Sequence, residues 1–138
     1  MKATILTVLG ALVLLGPAAD AHHSHPDFLV DQDATVEGII AGIQFQDPHV
    51  LITVRAADAT LYTVEWQAAH WLKYHPELVT PVNGPVNIDT LKVGDPIVVV
   101  GCPPRDPTRH ELVKLKAVRR LVDDWLWTCR RPDARIWC

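Results

Sequence analysis

The chain has 138 residues, 49% of them hydrophobic, and a formal net charge of −3 at pH 7. This length provides one small domain with its own core and leaves too little chain for two. The acidic balance argues against a nucleic-acid partner, because proteins of that class present a positively charged groove with aromatic side chains on which bases stack.

Residues 1–21 have the pattern of a secretory signal peptide. Lys2 precedes an apolar run from Ala3 to Gly16, which is 14 residues long. A membrane span requires about 20 residues, so this run is too short to serve as one. A small-residue cleavage site, Ala19-Asp20-Ala21, follows. We expect cleavage after Ala21, an exported protein that is periplasmic or secreted, and no stable membrane insertion after processing; the alternative is a retained N-terminal anchor.

A His-rich arm, residues 22–34, follows the predicted signal peptide, and residues 35–121 form the predicted β-domain. Segments rich in β-branched residues predict five strands in this domain. They lie at residues 35–45, 49–55, 61–66, 96–101 and 111–121. Gly38 and Gly42 indicate bulges or a bend in the first of them.

Between the third and fourth strands the pattern changes. Residues 67–74 suit a short helix that ends before His75-Pro76. Residues 76–87 carry three prolines and a glycine and predict an exposed loop. Five strands with one short helix in this place predict an all-β fold, a small five-stranded OB-like Greek-key barrel. A short β-sandwich is the competing architecture.

Residues 122–138 are a tail that contains tryptophans and cysteines, and we expect it to pack across the barrel. The chain has three cysteines, and in an oxidising compartment two of them would pair. Cys129 and Cys138 are the predicted pair because they would close a short loop. Cys102 would then remain as a buried structural thiol or as a soft metal ligand.

Several short motifs follow one another between Ala21 and Leu121. They are Ala21-His22-His23-Ser24, a first strand with Gly38, Asp47-Pro48-His49-Val50, and Leu91-x-x-Gly94-Asp95 before a Val-rich strand and Gly101-x-Pro103. In this order they resemble a family of small exported bacterial proteins of unknown function. The resemblance implies a signal peptide and an OB-like barrel, and it brings no established activity. The chain departs from the family pattern at His25, in a longer loop over residues 74–88 and in the added tail.

Three histidines, His22, His23 and His25, would stand at the start of the mature chain. An N-terminal histidine can offer its α-amine and a ring nitrogen to the same metal ion. Cu(II) binds such nitrogen ligands most tightly among the first-row divalent ions, so copper is the predicted cofactor. Zn(II), which prefers four ligands in a tetrahedron, is the less favoured one. The predicted ligand from the barrel is His49, at the turn between the first two strands, and His23 or His25 could serve in its place.

The other histidines form weaker patterns. His70 and His75 are five residues apart, which does not match the four-residue spacing of neighbours on one helical face. His110 lies in a predicted loop. The N-terminal histidines have an alternative interpretation as a flexible polar end that binds nothing.

The sequence favours a protein that is not an enzyme. Ser24 is its only serine, and neither a nucleophile motif nor a Gly-rich phosphate loop is present. We therefore predict an exported metal-binding protein for storage, delivery or sensing, with the metal ion and a periplasmic protein as partners. The alternative is an OB-like interaction module that binds a protein or a small ligand, and a third hypothesis is an oxidase with a copper histidine brace.

The signal-peptide prediction has a direct test. We expect the protein recovered from the exported fraction of an expressing bacterium to lack residues 1–21 and to begin at His22, as read by intact mass and N-terminal peptide mapping. A full-length mass, or a cut at another residue, would contradict the prediction and remove the α-amine from the proposed ligands.

Overall fold

The fold was determined as a computed structural model that describes residues 25–74, 80–81 and 86–129. Within these residues the strands and the helix follow in the order β1 Ala34–Gln44, β2 Leu51–Arg55, β3 Leu61–Glu65, α1 Ala69–Tyr74, β4 Thr80–Pro81, β5 Pro96–Cys102, β6 Glu111–Arg120 and β7 Leu126–Thr128. None of the described helices is long and apolar enough to cross a membrane.

Five of these strands close into a barrel. Strands β1, β2 and β3 form an antiparallel meander, and β5 and β6 pair antiparallel on the other side of β1. The barrel closes where β3 runs parallel to β6, with Thr63 opposite Glu111 and Val64 opposite Leu112. The predicted all-β, OB-like Greek-key barrel is therefore confirmed, with α1 between its third and fourth strands.

Alternation of side chains along the strands builds one main core. In β2, Ile52 and Val54 point inward and are fully buried, while their neighbours are partly or fully exposed. Leu72 of α1 is buried in the same core, so the short helix is held by packing rather than by its own six residues.

The C-terminal tail contributes to this core. Trp127, on β7, is fully buried, and its ring packs edge-on against that of Trp66 with 5.0 Å between centroids. Strand β7 lies between β6 and β4, an arrangement that the sequence did not predict. The predicted exposed loop over 76–87 is wrong at two places, because residues 80–81 form β4 and Val86 is buried.

The two glycines of β1 have different structural reasons. The pairing of β1 with β2 shifts register between Ile40 and Gly42, which is the predicted bulge. Gly38 instead lies directly against β2. A Cβ there would lie 2.8 Å from the carbonyl carbon of Arg55 and 2.9 Å from a methyl group of Val54.

This difference predicts unequal effects of two matched substitutions. We expect Gly38→Ala to lower the free energy of unfolding by about 1–3 kcal/mol, because the methyl group forces neighbouring backbone apart. Gly42→Ala should stay near wild type, since its Cβ would meet Thr53 at an ordinary 3.7 Å. Urea denaturation followed by Trp fluorescence measures both, and equal stabilities of the two variants would contradict the close approach at Gly38.

Candidate metal centre

The β2–β3 hairpin places His49 beside Glu65. Leu51 and Glu65 are cross-strand partners, and the pairing continues past the strand ends through hydrogen bonds that join Val50 to Trp66 and Gln67. Side chains two residues apart on an extended chain share a face, so His49 projects on the same face as Leu51 and lies diagonally across from Glu65.

The N-terminal arm places His25 on the same face. Phe28 is 7% exposed and packs with Cys102 and Val113 in a small cluster separate from the main core. The arm backbone is also tied to the turn after β5, because Leu29 N–H donates to the Pro103 carbonyl at 2.8 Å. The Phe28 N–H donates back to the His25 carbonyl at 3.1 Å, so His25 sits in a turn fixed by this docked segment.

The carboxylate of Glu65 lies between the two imidazoles. His25 Nε2 is 3.1 Å from Glu65 Oε1, and His49 Nδ1 is 3.8 Å from the same oxygen. The side chains of His25, His49 and Glu65 are 13%, 27% and 23% exposed. The cluster is therefore partly shielded from water.

The hydrogen-bond partners indicate the tautomer of each ring. A carbonyl oxygen can only accept, so His49 Nδ1, 3.3 Å from the Trp66 carbonyl, carries the proton and donates it. A carboxylate likewise accepts, so His25 Nε2 is the donor to Glu65. His25 Nδ1 is buried and has no hydrogen-bond partner among the described residues. These partners resemble the carbonyl and carboxylate groups that orient metal-bound histidines.

The structure brings together two of the four predicted metal ligands. His25 and His49 meet at Glu65, whereas His22 and His23 lie outside the described residues. Within residues 25–74, 80–81 and 86–129, no group of three or more His, Cys, Asp or Glu side chains is arranged to hold a metal ion. A complete site therefore requires ligands from the segment before His25, and the metal site stays a prediction.

A second histidine–carboxylate pair joins Asp47, on the turn that carries His49, to His70 of α1. Asp47 Oδ1 is 2.9 Å from His70 Nδ1 and also accepts the His70 backbone N–H at 3.2 Å. The hydrogen bond from the His70 ring, and then that from its backbone, lower the pKa of Asp47. Both side chains are about half exposed, so this pair joins α1 to the turn at the surface. The peptide bond between Asp47 and Pro48 is cis.

His110 and His75 are the remaining two histidines of the chain. His110 is exposed, and its ring contacts Tyr62 edge-on with 5.3 Å between centroids. His75 lies outside the described residues. His110 therefore lies apart from the cluster around Glu65.

Of the three cysteines, two lie within the described residues and one lies outside them. Cys102 is a free thiol, fully buried beside Phe28, and its Sγ donates to the Val30 carbonyl at 3.5 Å. These contacts favour the structural thiol over the soft metal ligand. Cys129 is buried in the main core, and Cys138 lies outside the described residues, so their pairing stays a prediction.

Sequence reasoning missed Glu65. On a strand with alternating burial, a single glutamate is typical of a solvated outer face. The available signal was the hairpin register, since Glu65 falls opposite Leu51 and therefore beside a histidine two residues earlier.

The fold and these side chains define a small OB-like barrel with a His–Glu–His cluster at its rim. The model of a family of unknown function, DUF6152, matches residues 11–114, and the chain belongs to this family. The match includes the docked arm and the cluster around Glu65, and it ends before the tail. This confirms the prediction of a family of unknown function. No curated protein and no solved structure is detectably similar to the chain.

The burial of Cys102 predicts a chemically inert thiol. Burial raises the pKa of this thiol, and the nearby Lys116 only partly offsets the effect. Because the thiolate is the reactive form, we expect iodoacetamide at pH 8 to alkylate Cys102 far more slowly in native protein than in urea-unfolded protein. Peptide mapping by mass spectrometry measures both rates at this position, and similar rates would contradict the packing around Phe28.

Proposed function

We propose that this protein is an exported, periplasmic or secreted, metal-binding protein that takes Cu(II) in preference to Zn(II). His22, with its α-amine and ring, binds the metal together with His25 and His49, and His23 lies within reach as a further ligand. The protein stores, delivers or senses the metal.

The observation that carries this proposal is the meeting of His25 and His49 at one carboxylate. These residues come from separate segments: the docking of the arm through Phe28 places His25, and the β2–β3 hairpin places His49, at the same oxygen of Glu65. Metal-binding imidazoles are typically oriented by hydrogen bonds to carboxylates and carbonyls, as these two rings are, whereas solvated surface histidines generally lack such partners.

Copper is favoured by the kind of ligand on offer. Imidazoles and an amine are nitrogen donors, which suit the tetragonal geometry of Cu(II) and its place in the affinity order. The mature chain would begin three residues before His25, so a segment that spans at most about 10–11 Å would join its amine to the docked turn. Zn(II) would need a fourth ligand in a tetrahedron, which His23 could supply.

The proposal predicts one Cu(II) per processed chain in a calorimetric titration. An alanine inserted before His22 moves the α-amine to a different residue from the His22 ring, so the two can no longer chelate the metal as one unit. This insertion should weaken Cu(II) binding severely. His49→Ala should lower affinity by more than the about 10–100-fold that changes outside the coordination sphere cost. His70→Ala is the matched control, since it removes a carboxylate-bonded histidine that we place outside the site, and its affinity should equal that of wild type.

Two results would contradict the proposal. One is Cu(II) binding by the processed protein no tighter than by a peptide with few histidines, which would favour the interaction module instead. The other is equal loss of affinity in His49→Ala and His70→Ala, which would show that the surface histidines bind copper without a defined site.

A further inference from the structure

We propose that Glu65 is the positioning residue of this site: it holds the Nε2 proton of His25, so that this ring binds the metal through Nδ1, while the Trp66 carbonyl holds the Nδ1 proton of His49 and leaves Nε2 of that ring for the same ion. The inference rests on the proposed function for the presence of a metal. It adds a residue and an atomic assignment that neither the histidine pattern nor the family provides.

The assignment for His25 comes from its two unlike nitrogens. Nε2 donates to Glu65 at 3.1 Å, while Nδ1 is buried without a partner in the described part of the chain. A proton on Nδ1 would bury an unpaired donor, which is unfavourable. The tautomer with its proton on Nε2 therefore fits these surroundings, and it leaves on Nδ1 the lone pair that a metal ion binds.

The assignment for His49 follows from the opposite arrangement. Its Nδ1 proton faces the Trp66 carbonyl at 3.3 Å and Glu65 Oε1 at 3.8 Å, so both acceptors lie on the same side of the ring. The proton on Nδ1 leaves the lone pair on Nε2, which is the nitrogen that binds a metal in this tautomer.

Glu65 is suited to this role because no Lys or Arg side chain of the described residues pairs with its carboxylate. The basic side chains within 4 Å of its carboxylate among the described residues are those of His25 and His49. Glu111, which lines the same small surface pocket, instead forms an ion pair with Arg109 at 2.6 Å. A carboxylate with no Lys or Arg partner in the described part of the chain is available to hold the Nε2 proton of His25 and so to orient that ring toward a metal ion.

The test combines two measurements on processed protein, wild type against Glu65→Ala, Glu65→Gln and Glu111→Gln. Long-range ¹H–¹⁵N spectra of metal-free wild type should show His25 protonated at Nε2 and His49 at Nδ1. We expect Glu65→Ala to mix the His25 tautomers and to weaken Cu(II) binding about 10–100-fold. Glu65→Gln keeps an acceptor oxygen and should retain the His25 tautomer with a smaller loss. Glu111→Gln, the matched control in the same pocket, should change neither measurement.

The results distinguish a failure of this inference from a failure of the proposed function. Wild-type His25 protonated at Nδ1, or Glu65→Gln and Glu65→Ala binding Cu(II) as tightly as wild type, would overturn the inference. Loss of folding in Glu65→Ala leaves Glu65→Gln to decide. If wild type binds no Cu(II), the proposed function fails, and so does the assignment of the metal-binding nitrogens. The tautomers of the metal-free protein still test separately whether Glu65 positions the His25 ring.

Discussion

The whole arrangement depends on the short parallel pairing that closes the barrel. Two residue pairs, Thr63 with Glu111 and Val64 with Leu112, join the third and fifth barrel strands across a large separation in sequence. The closure brings the outer face of β3, which carries Glu65, next to the outer face of β6, against which Phe28 of the arm packs. Without it the arm would dock on one edge of an open sheet, and His25 would not meet Glu65.

The arm converts this scaffold into a candidate site. Its position is set by burial of the Phe28 ring, beneath the Arg109 guanidinium 5.1 Å from the ring centroid, and by backbone hydrogen bonds to the turn after β5. Burying an aromatic side chain of this size stabilises the docked state by roughly 2–3 kcal/mol. That is enough to hold His25 in one place, so the histidines of the mature end would start from a fixed point on the barrel rim.

The sequence was informative where local pattern decides the structure. The five barrel strands and the helix lie within about two residues of their predicted positions, because alternating burial and β-branched residues act over a few neighbours. Strand β7 was missed, since three residues are too few to show a period and its partners in β4 and β6 are distant in sequence. Glu65 was missed for a related reason: its importance comes from two histidines that only the closed, arm-docked barrel brings to it.

The central claim is that the docked arm and the β2–β3 hairpin together present His25 and His49 to one metal ion. Anomalous diffraction at the copper edge, from crystals of processed protein loaded with one equivalent of Cu(II), tests it most directly. We expect one peak at about 2 Å, the usual metal–imidazole bond length, from both His25 Nδ1 and His49 Nε2. A peak at His70, or copper scattered over surface histidines with none at this rim, would contradict it.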